Sequence, residues 1–506
     1  MKRVFGLETE YGITIRGAAS VDVVAESIEL VHSYTEHGAH MKWDYRLEDP
    51  HRDARGFRAP TLLQDTDESA YYEIDRKRPL SFEEIKSDLV LSNGARFYND
   101  HAHPEYSTPE CTTLRQIVAH EKAGERIMAE CARRRNLKLT EGAEVRLFKN
   151  NTDFAGHSYG CHDNYLIRRD LPWDELVAGV LPFLITRQIF AGAGKLGIEA
   201  ESSGTQPGVF QISQRADFFQ TLVSIDTMNK RPLVNTRDEP HADPSKYRRF
   251  HVIIGDSNMS EWATALKVGT TALVLGLIEH GKAPQLEIAQ PVNATKSISR
   301  DQNYDWIIEL SDGRKISAID IQRLYLKAAE GEHKGDSEMR WLLSEWETVL
   351  NDLQRDVTST ADRLDWAAKK FLLSSFREEE KLAWSDPWLQ SIDLEYHNIQ
   401  PDQGLFYELQ RQGSMRTLIS EKEIKDAIFS PPETTRAWFR GRSVARFNHA
   451  ISSIQWDEIA FSDGRKARVV SLPEPVDDER LEELNNLVNA ENEFDEFFRA
   501  IAGRGD

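Results

Sequence analysis

The chain has 506 residues, of which 40% are hydrophobic and 29% charged, and a formal net charge of −20. That balance is the one a soluble globular protein needs to bury a large core, while the acidity argues against nucleic acid or an anionic membrane as partner. No stretch reaches the apolar length of a membrane span, the start Met1-Lys-Arg-Val-Phe-Gly6 leads into no signal-peptide-like apolar run, and Cys111, Cys131 and Cys161 have neither zinc nor disulfide spacing, so a cytoplasmic location is expected.

Residues 2–15 predict a strand. Its period of two puts Glu8 and Glu10 on one face and Leu7, Thr9 and Tyr11 on the other. Two carboxylates so placed either stand in solvent on a sheet edge or face a hard cation such as Mg2+, and both readings are open. Residues 21–36 predict an amphipathic helix. The polar segment 42–90 contains Pro50, Pro60 and Pro79 and has little periodicity. An insertion of that length is either plain surface or a lid, and its place just before the next strand suits a lid. From Asn93 to Cys111 the pattern sharpens: Arg96, Tyr98 and Asp100 leave one face of a strand, and a turn at Pro104 brings Glu105 beside them. A cation, a phenol and a carboxylate fill a core poorly but line a polar pocket well. Asp100 stands at the strand end, where a substrate can reach it as general base or nucleophile.

Residues 113–136 predict a helix with Leu114, Ile117, Val118, Ile127 and Met128 inward, followed by a strand at Val145–Phe148. In the next strand His162, Asn164 and Leu166 share a face. A lone imidazole is more often structural than a ligand, so His162 draws its weight only from company. Trp173–Gly192 predicts an apolar helix. Gly192-Ala-Gly-Lys195 lacks the full phosphate-loop spacing, with Leu196 where a hydroxyl belongs, and is discounted. Within 234–256 a proline-broken loop gives way to a strand with Arg249, His251 and Ile253 on one face. A guanidinium suits phosphate, and His251 is preferred to the loop residue His241 as a ligand because a strand fixes geometry better. Residues 259–281 and most of 317–390 predict helical scaffold. After Ser430-Pro-Pro-Glu433 the character changes, dividing the chain into residues 1–430 and a small C-terminal domain, 431–506. That domain is expected to hold a short helix, strands at Ile454–Phe461 and Lys466–Leu472, and an acidic, solvated helix from Asp478 to Ala500. Trp456 falls on its first strand. The polar strand faces collect most simply on one antiparallel sheet covered by helices on its other side, an α+β fold whose exposed face suits Mg2+ and nucleotide phosphates.

Gly6-Leu-Glu-Thr-Glu-Tyr-Gly12, Asn93-Gly-Ala-Arg-Phe-Tyr-Asn-Asp100 with His103-Pro-Glu-Tyr106, Lys149-Asn-Asn151, Ser158-Tyr-Gly-Cys-His-Asp-Asn-Tyr165, Asn235 to Asp243 and Tyr247 to Asp256 together resemble the Pup ligase and Pup deamidase/depupylase family, relatives of glutamine synthetase and other carboxylate-amine ligases. The resemblance spans nearly the whole chain and implies a glutamine synthetase-like domain whose concave sheet face holds Mg2+ and ATP, or retained ADP and phosphate. It implies metal ligands at Glu8, Tyr98, Glu105, His162 and His251. It places Gly6, Glu8, Glu10, Arg96, Ser107, Thr108, Asn164, Arg249 and Trp456 around the nucleotide, with Asp100 as the catalytic aspartate. Within the family, Trp43-Asp-Tyr45, Arg52 to Phe57 and Asp100-His-Ala-His-Pro-Glu105 are similar to the deamidase/depupylase branch. Leu147 to Asp153, Gly160-Cys-His162 and Gly255 to Ser260 are closer to the ligase, and Asn99 stands where an apolar residue is expected. The implied activity is hydrolysis, without stoichiometric ATP turnover, of the amide or isopeptide at the C-terminal Gln or Glu side chain of Pup. The alternative is ligation of that Glu to lysine through a glutamyl phosphate. The implied partners are Pup or a Pup-like modifier, pupylated proteins and, functionally, the bacterial proteasome, with the enzyme itself a monomer.

Overall fold

The strand Phe5–Glu10 (β1) alternates buried Phe5, Leu7 and Thr9 with half-buried Gly6, Glu8 and Glu10, so one face is apolar and the other acidic. In the structure, a computed structural model, β1 lies inside a seven-stranded sheet. Its other strands are Ala39–His40 (β2), Leu89–Leu91 (β3), Arg96–Asp100 (β4), His103–Ser107 (β5), Cys161–Arg168 (β6) and Tyr247–Val252 (β7), in the order β7-β6-β1-β5-β4-β3-β2. All neighbours are antiparallel. The structure describes every residue except 1–2, 18–21, 36–38, 41–42, 63–76, 201–203, 228, 333–336, 477–478, 491–492 and 503–506.

Helices cover the apolar face, as expected. Leu114–Asn136 begins where the Thr113 hydroxyl accepts from the Gln116 amide at 3.2 Å, and Leu114, Ile117, Val118, Ile127 and Met128 are all buried. Gly124 marks its closest approach to the sheet: a Cβ there would stand 2.4 Å from the Tyr106 ring. Behind it, Glu261–Glu279 runs through the main core with Trp306, Trp346 and Trp366. Contrary to the sequence expectation, this helix is long and apolar enough to cross a membrane, but 83% of its apolar window is buried inside the fold.

Several boundaries differ from expectation. The strand expected over 2–15 is two, β1 and Gly12–Arg16: the Tyr11 amide still donates to the Pro104 carbonyl in register with β5, but Pro104 has no N–H to return the bond, and Gly12–Arg16 pairs instead with Glu144–Phe148. The turn placed at Pro104 lies at His101–Ala102, with His101 at φ 53°, and Pro104 sits within β5 opposite Asn99. The helix Trp173–Gly192 breaks at Arg187 into Trp173–Thr186 and Gln188–Ala191. Arg187 is drawn to Asp163 at 2.7 and 3.0 Å and to the Ile254 carbonyl at 2.6 Å. The segment 42–90 is only partly irregular: it holds a 3-10 turn at Tyr45–Leu47, a helix at Phe82–Lys86 and β3. Residues 42 and 63–76 of that segment lie outside the described residues.

Toward the C-terminus, the helix Ala437–Phe447 precedes three strands, Ile451–Ile454, Glu458–Ser462 and Ala467–Ser471. Trp456 therefore stands in a hairpin turn and not on a strand. The expected acidic helix is two, Glu479–Ala490 and Phe494–Ala500, with 478 and 491–492 outside the described residues. Leu481, Leu484 and Val488 on its inner side are buried, so it is not simply a solvated face. Phe439, Phe447, Phe461 and Phe497 centre this unit's apolar cluster, which also takes in Trp43 and Val90 from the main body. Glu110, just after β5, clamps the two parts by accepting from Arg436 Nε at 2.8 Å and Arg440 Nη1 at 3.1 Å, while Arg440 Nη2 reaches the Gly94 carbonyl at 2.7 Å.

Burial pushes the Glu110 carboxyl up, but Arg440 and Arg436 outweigh it and hold it at about 2. A folded value below the ordinary one stabilises the fold above the ordinary carboxylate range, and that contribution is lost as pH falls toward 2. Glu110→Gln should cost about 3–5 kcal/mol, the range for removing one partner of a buried pair. Thermal melts of both proteins should show the gap in midpoint narrowing steadily between pH 5 and pH 2.5.

Candidate functional site

Strand register assembles the polar face. Glu8 pairs with His162 on one side and Ser107 on the other, Glu10 lies opposite Glu105, Glu105 opposite Tyr98, Ser107 opposite Arg96, and His251 opposite Asn164. Side chains directly opposite in an antiparallel pair are in contact range. One cleft of about 390 Å³ takes in Glu8, Glu10, Tyr98, Asp100, Glu105, His162 and His251. A narrower, largely apolar recess of about 90 Å³ opens beside it, lined by Gly6, Leu7, Thr108, Asn164, Arg249 and Trp456, and shares Glu8, Ser107 and Arg249 with the cleft.

The five expected metal ligands fall into two neighbouring groups. Ligand atoms of Glu8, His162 and His251 lie within 4.8 Å of one another, and those of Glu10, Asp100 and Glu105 do the same. Tyr98 joins the second group by donating to Glu105 Oε1 at 2.7 Å, and Ser107 donates to the same oxygen at 3.2 Å. Asn164 is the hub of the first. Its amide donates to Glu8 Oε1 at 3.0 Å, and its oxygen faces His251 Nδ1 at 2.8 Å and accepts from Arg249 Nη1 at 3.2 Å. That contact puts the His251 proton on Nδ1 and leaves the Nε2 lone pair available.

The electrostatics fit a divalent cation. Burial, and then the charges of Asp100, Glu8 and Glu10, push Glu105 well above the usual carboxylate range against its Tyr98 bond. A cation among these oxygens reverses that penalty. Burial raises Glu8 as well, but the His162 hydrogen bond and Arg249 outweigh it and keep it ionised. Burial first, then Arg249 and neighbouring histidines, drives His251 well down; burial likewise lowers His162 against Glu8. Both imidazoles are thus neutral at pH 7, the form that binds a metal. Oxygen-rich ligands with imidazole at the edge are compatible with Mg2+.

The remaining expected residues lie nearby, each with contacts of its own. The Arg96 guanidinium is committed to Asp88 at 2.6 Å and stacked over Trp43 at 4.1 Å and Tyr98 at 3.9 Å. It walls the cleft away from the recess. Thr108 Oγ1 accepts from the Leu7 amide at 3.0 Å. Trp456 packs edge-on against Trp43 at 5.4 Å and walls both cavities. His241, the competitor to His251, also lines both but joins neither ligand group. Glu10 faces His103 Nδ1 at 3.5 Å.

Asp100 ends β4. Its Oδ1 accepts from Lys86 Nζ at 2.5 Å, and Oδ2 lies 3.9 Å from His101 Nε2. Burial works against its ionisation, yet Lys86 and then His101 hold it far below the usual range. The sequence reading missed Lys86, Arg215 and Arg237, all cleft residues; Arg237 alone had a signal, in the polar loop 234–243. The rim is built by residues 43–62. Asp44 N donates to the Ile454 carbonyl at 3.0 Å, Ala54 N to the Thr236 carbonyl at 2.7 Å, and Asp49 N to Glu239 Oε1 at 2.7 Å.

Comparison with known proteins converges on one family. A family model described as Pup-ligase protein matches residues 3–460. The chain is 45% identical over 473 residues to a depupylase of Acidothermus cellulolyticus, an alignment covering 91% of each chain. Among solved structures, the complex between the prokaryotic ubiquitin-like protein Pup and its ligase PafA matches at a TM-score of 0.76 and 31% identity, over 99% of this chain and 94% of that one. The Pup ligase PafA in complex with ADP matches at 0.73 and 34% identity, over 86% and 97%.

Replacing Glu8 by Gln keeps its shape but removes the ionised oxygen of the first group. Isothermal titration with Mg2+ or Mn2+ should show affinity falling by about tenfold or more, at least the loss typical of disturbing a residue one shell further out. Asn164→Ala, which leaves every ligand atom in place, should fall within that same order.

Proposed function

The chain belongs to the Pup-ligase family, and with the geometry of its cleft as the second premise we propose that it hydrolyses the amide or isopeptide bond at the C-terminal Gln or Glu side chain of Pup, deamidating the modifier and releasing it from conjugates. The observation that carries the chemistry, common to both directions of the reaction, is the position of Asp100: a carboxylate at a strand end, in the same ligand-sized group as Glu10 and Glu105 and open to the large cleft. Coverage favours the hydrolase more than identity does: relatives named depupylase or Pup deamidase/depupylase match at 41–45% identity over 91–96% of this chain, Pup ligases at 39–41% over 79–82%.

In this reading the apolar recess takes the nucleotide base and ribose beside Trp456, with Arg249 and Asn164 toward the phosphates. A relative bound to ADP supports nucleotide binding. Glu8, His162 and His251, with Glu105 and Tyr98 alongside, would hold Mg2+, which supplies charge neutralisation and polarisation of an oxygen when bound. The Asp100 carboxylate either attacks the glutamyl carbonyl or takes a proton from water. In either case water supplies the hydroxyl of the product carboxyl and the proton that leaves with ammonia or the lysine amine. Pup itself, as modifier or conjugate, is the partner, and the nucleotide acts as cofactor, not fuel.

The ligase reading draws on the similarity to both PafA structures and uses the same Asp100 to deprotonate an acceptor lysine. Counting ATP hydrolysed per bond separates the two: one per bond for ligation, far fewer for hydrolysis. Asp100→Asn should lower turnover by about 10²–10⁴-fold, the usual worth of a positioned proton-transfer group, with nucleotide affinity unchanged by fluorescence titration. Unaltered turnover removes Asp100 from the reaction.

A further inference from the structure

Two features stand outside the proposed chemistry. Asn99 lies where the family resemblance leads to the expectation of an apolar side chain, and Lys86 reaches the cleft from a segment without periodicity. The structure joins them. Asn99 is fully buried and donates from Nδ2 to the Ile85 carbonyl at 3.0 Å. That carbonyl belongs to the last turn of the short helix Phe82–Lys86, whose start is closed by a capping box: Glu84 N donates to Ser81 Oγ at 3.2 Å and Ser81 N to Glu84 Oε2 at 2.7 Å. Ser87 then ends the helix in the left-handed region, at φ 51°, with its amide on the Glu83 carbonyl at 2.9 Å.

So a five-residue helix is fixed at both ends and tied to β4 by the residue next to Asp100. Its last side chain, Lys86, extends over the Tyr98 ring, 5.7 Å from its centre, and closes on Asp100 Oδ1. The two side chains are only 18% and 26% exposed. Without that contact the Asp100 side chain is free to rotate toward Glu10 and Glu105 or away from them, because the ladder pairing with His103 fixes its backbone and not its χ1.

We propose that Lys86 is a positioning residue for the reaction: it binds one oxygen of Asp100, thereby aiming the other into the cleft, and Asn99 holds Lys86 in place through the Ile85 carbonyl. The assignment rests on Asp100 being the reacting carboxylate. It does not depend on the direction of the reaction, since hydrolysis and ligation both need that carboxylate aimed.

Two experiments on the full chain test it. The first reads the contact without activity: a carbodiimide forms zero-length amides only between touching carboxylates and amines, so peptide mass spectrometry should find Lys86 joined to Asp100, and much less so in Asn99→Leu. Absence of that cross-link in the wild type overturns the assignment. The second uses nucleotide, Mg2+ and a Pup–lysine conjugate, with Pup ligation assayed in parallel. Lys86→Met should lower kcat by about 10- to 100-fold, the loss expected for a misplaced reacting group. KM and nucleotide affinity should stay within about twofold, marking an interaction made in the transition state alone. Lys86→Ala should regain activity with added ethylamine, which fills the gap with an ammonium; a merely structural lysine would show no such rescue. Unchanged kcat, a loss confined to KM, or no rescue overturns the proposal. If the cross-link forms while the wild type neither cleaves nor joins Pup, the proposed function falls and the Lys86–Asp100 pairing stands.

Discussion

The site depends on a crowding of like charge. Antiparallel register puts Glu10 directly opposite Glu105, with Glu8 and Asp100 one step away. Like charges facing each other across strands destabilise a sheet, and at 4 Å a pair of unit charges repels by roughly 4 kcal/mol at an effective dielectric of 20. The chain offsets this only in part. Arg249 serves Glu8, Lys86 serves Asp100, and the buried histidines stay neutral. Glu105 has hydroxyl donors and no ion pair among the described residues. A face built this way favours a cation beside it.

Holding four carboxylates in register requires that the strands carrying them not slip, since a one-residue shift turns every side chain to the wrong face. The reverse face supplies that constraint with more than apolar packing. Thr9 donates to Glu121 at 2.9 Å, Glu121 and Glu125 share Lys149 at 2.7 and 2.8 Å, and Asp163 takes both arms of Arg187. These groups are almost wholly buried, so a slip of β1 or β6 would strand a charge in the core and cost several kcal/mol. The polar face is thus held in place by paired charges on the buried side of the sheet.

The same physics explains what the sequence disclosed. Each of β1, β4, β6 and β7 has one buried face, so a period of two was enough to group Glu8 with Glu10, Arg96 with Tyr98 and Asp100, His162 with Asn164, and Arg249 with His251. Lone pairs of residues became a site because the antiparallel order laid those faces side by side, a step the family resemblance had implied. What stayed hidden was set by tertiary contact. Tyr11 ends its strand because its partner across the ladder, Pro104, has no N–H to return the bond, and the helix break at Arg187 coincides with that side chain's ties to Asp163 and the Ile254 carbonyl. Gln455-Trp456-Asp457 turns without glycine or proline, so Trp456 was assigned to a strand. Lys86 meets Asp100 across 14 residues of chain, a spacing with no period, and Asn99 registered only as an anomaly until its partner, the Ile85 carbonyl, was placed.

Net charge was the weakest guide to ligand chemistry. A total of −20 says that the surface as a whole repels anions, yet charges act over only about 8 Å in physiological salt. Within the cleft the wall carries Lys86, Arg96, Arg215, Arg231, Arg237 and Arg249. Arg215 shows how strongly that wall is biased. It is buried and held by the Ile253 carbonyl at 2.6 Å and Ser158 Oγ at 3.2 Å, with no carboxylate in ion-pair range among the described residues. Burial, then the Arg231 charge, brings its guanidinium down to about 10, still fully protonated at neutral pH. A buried cation met only by neutral oxygens favours an anion in the adjoining space. The cleft therefore sets a cationic wall over an acidic floor, an arrangement that attracts a metal and an anion together although the protein as a whole is strongly negative.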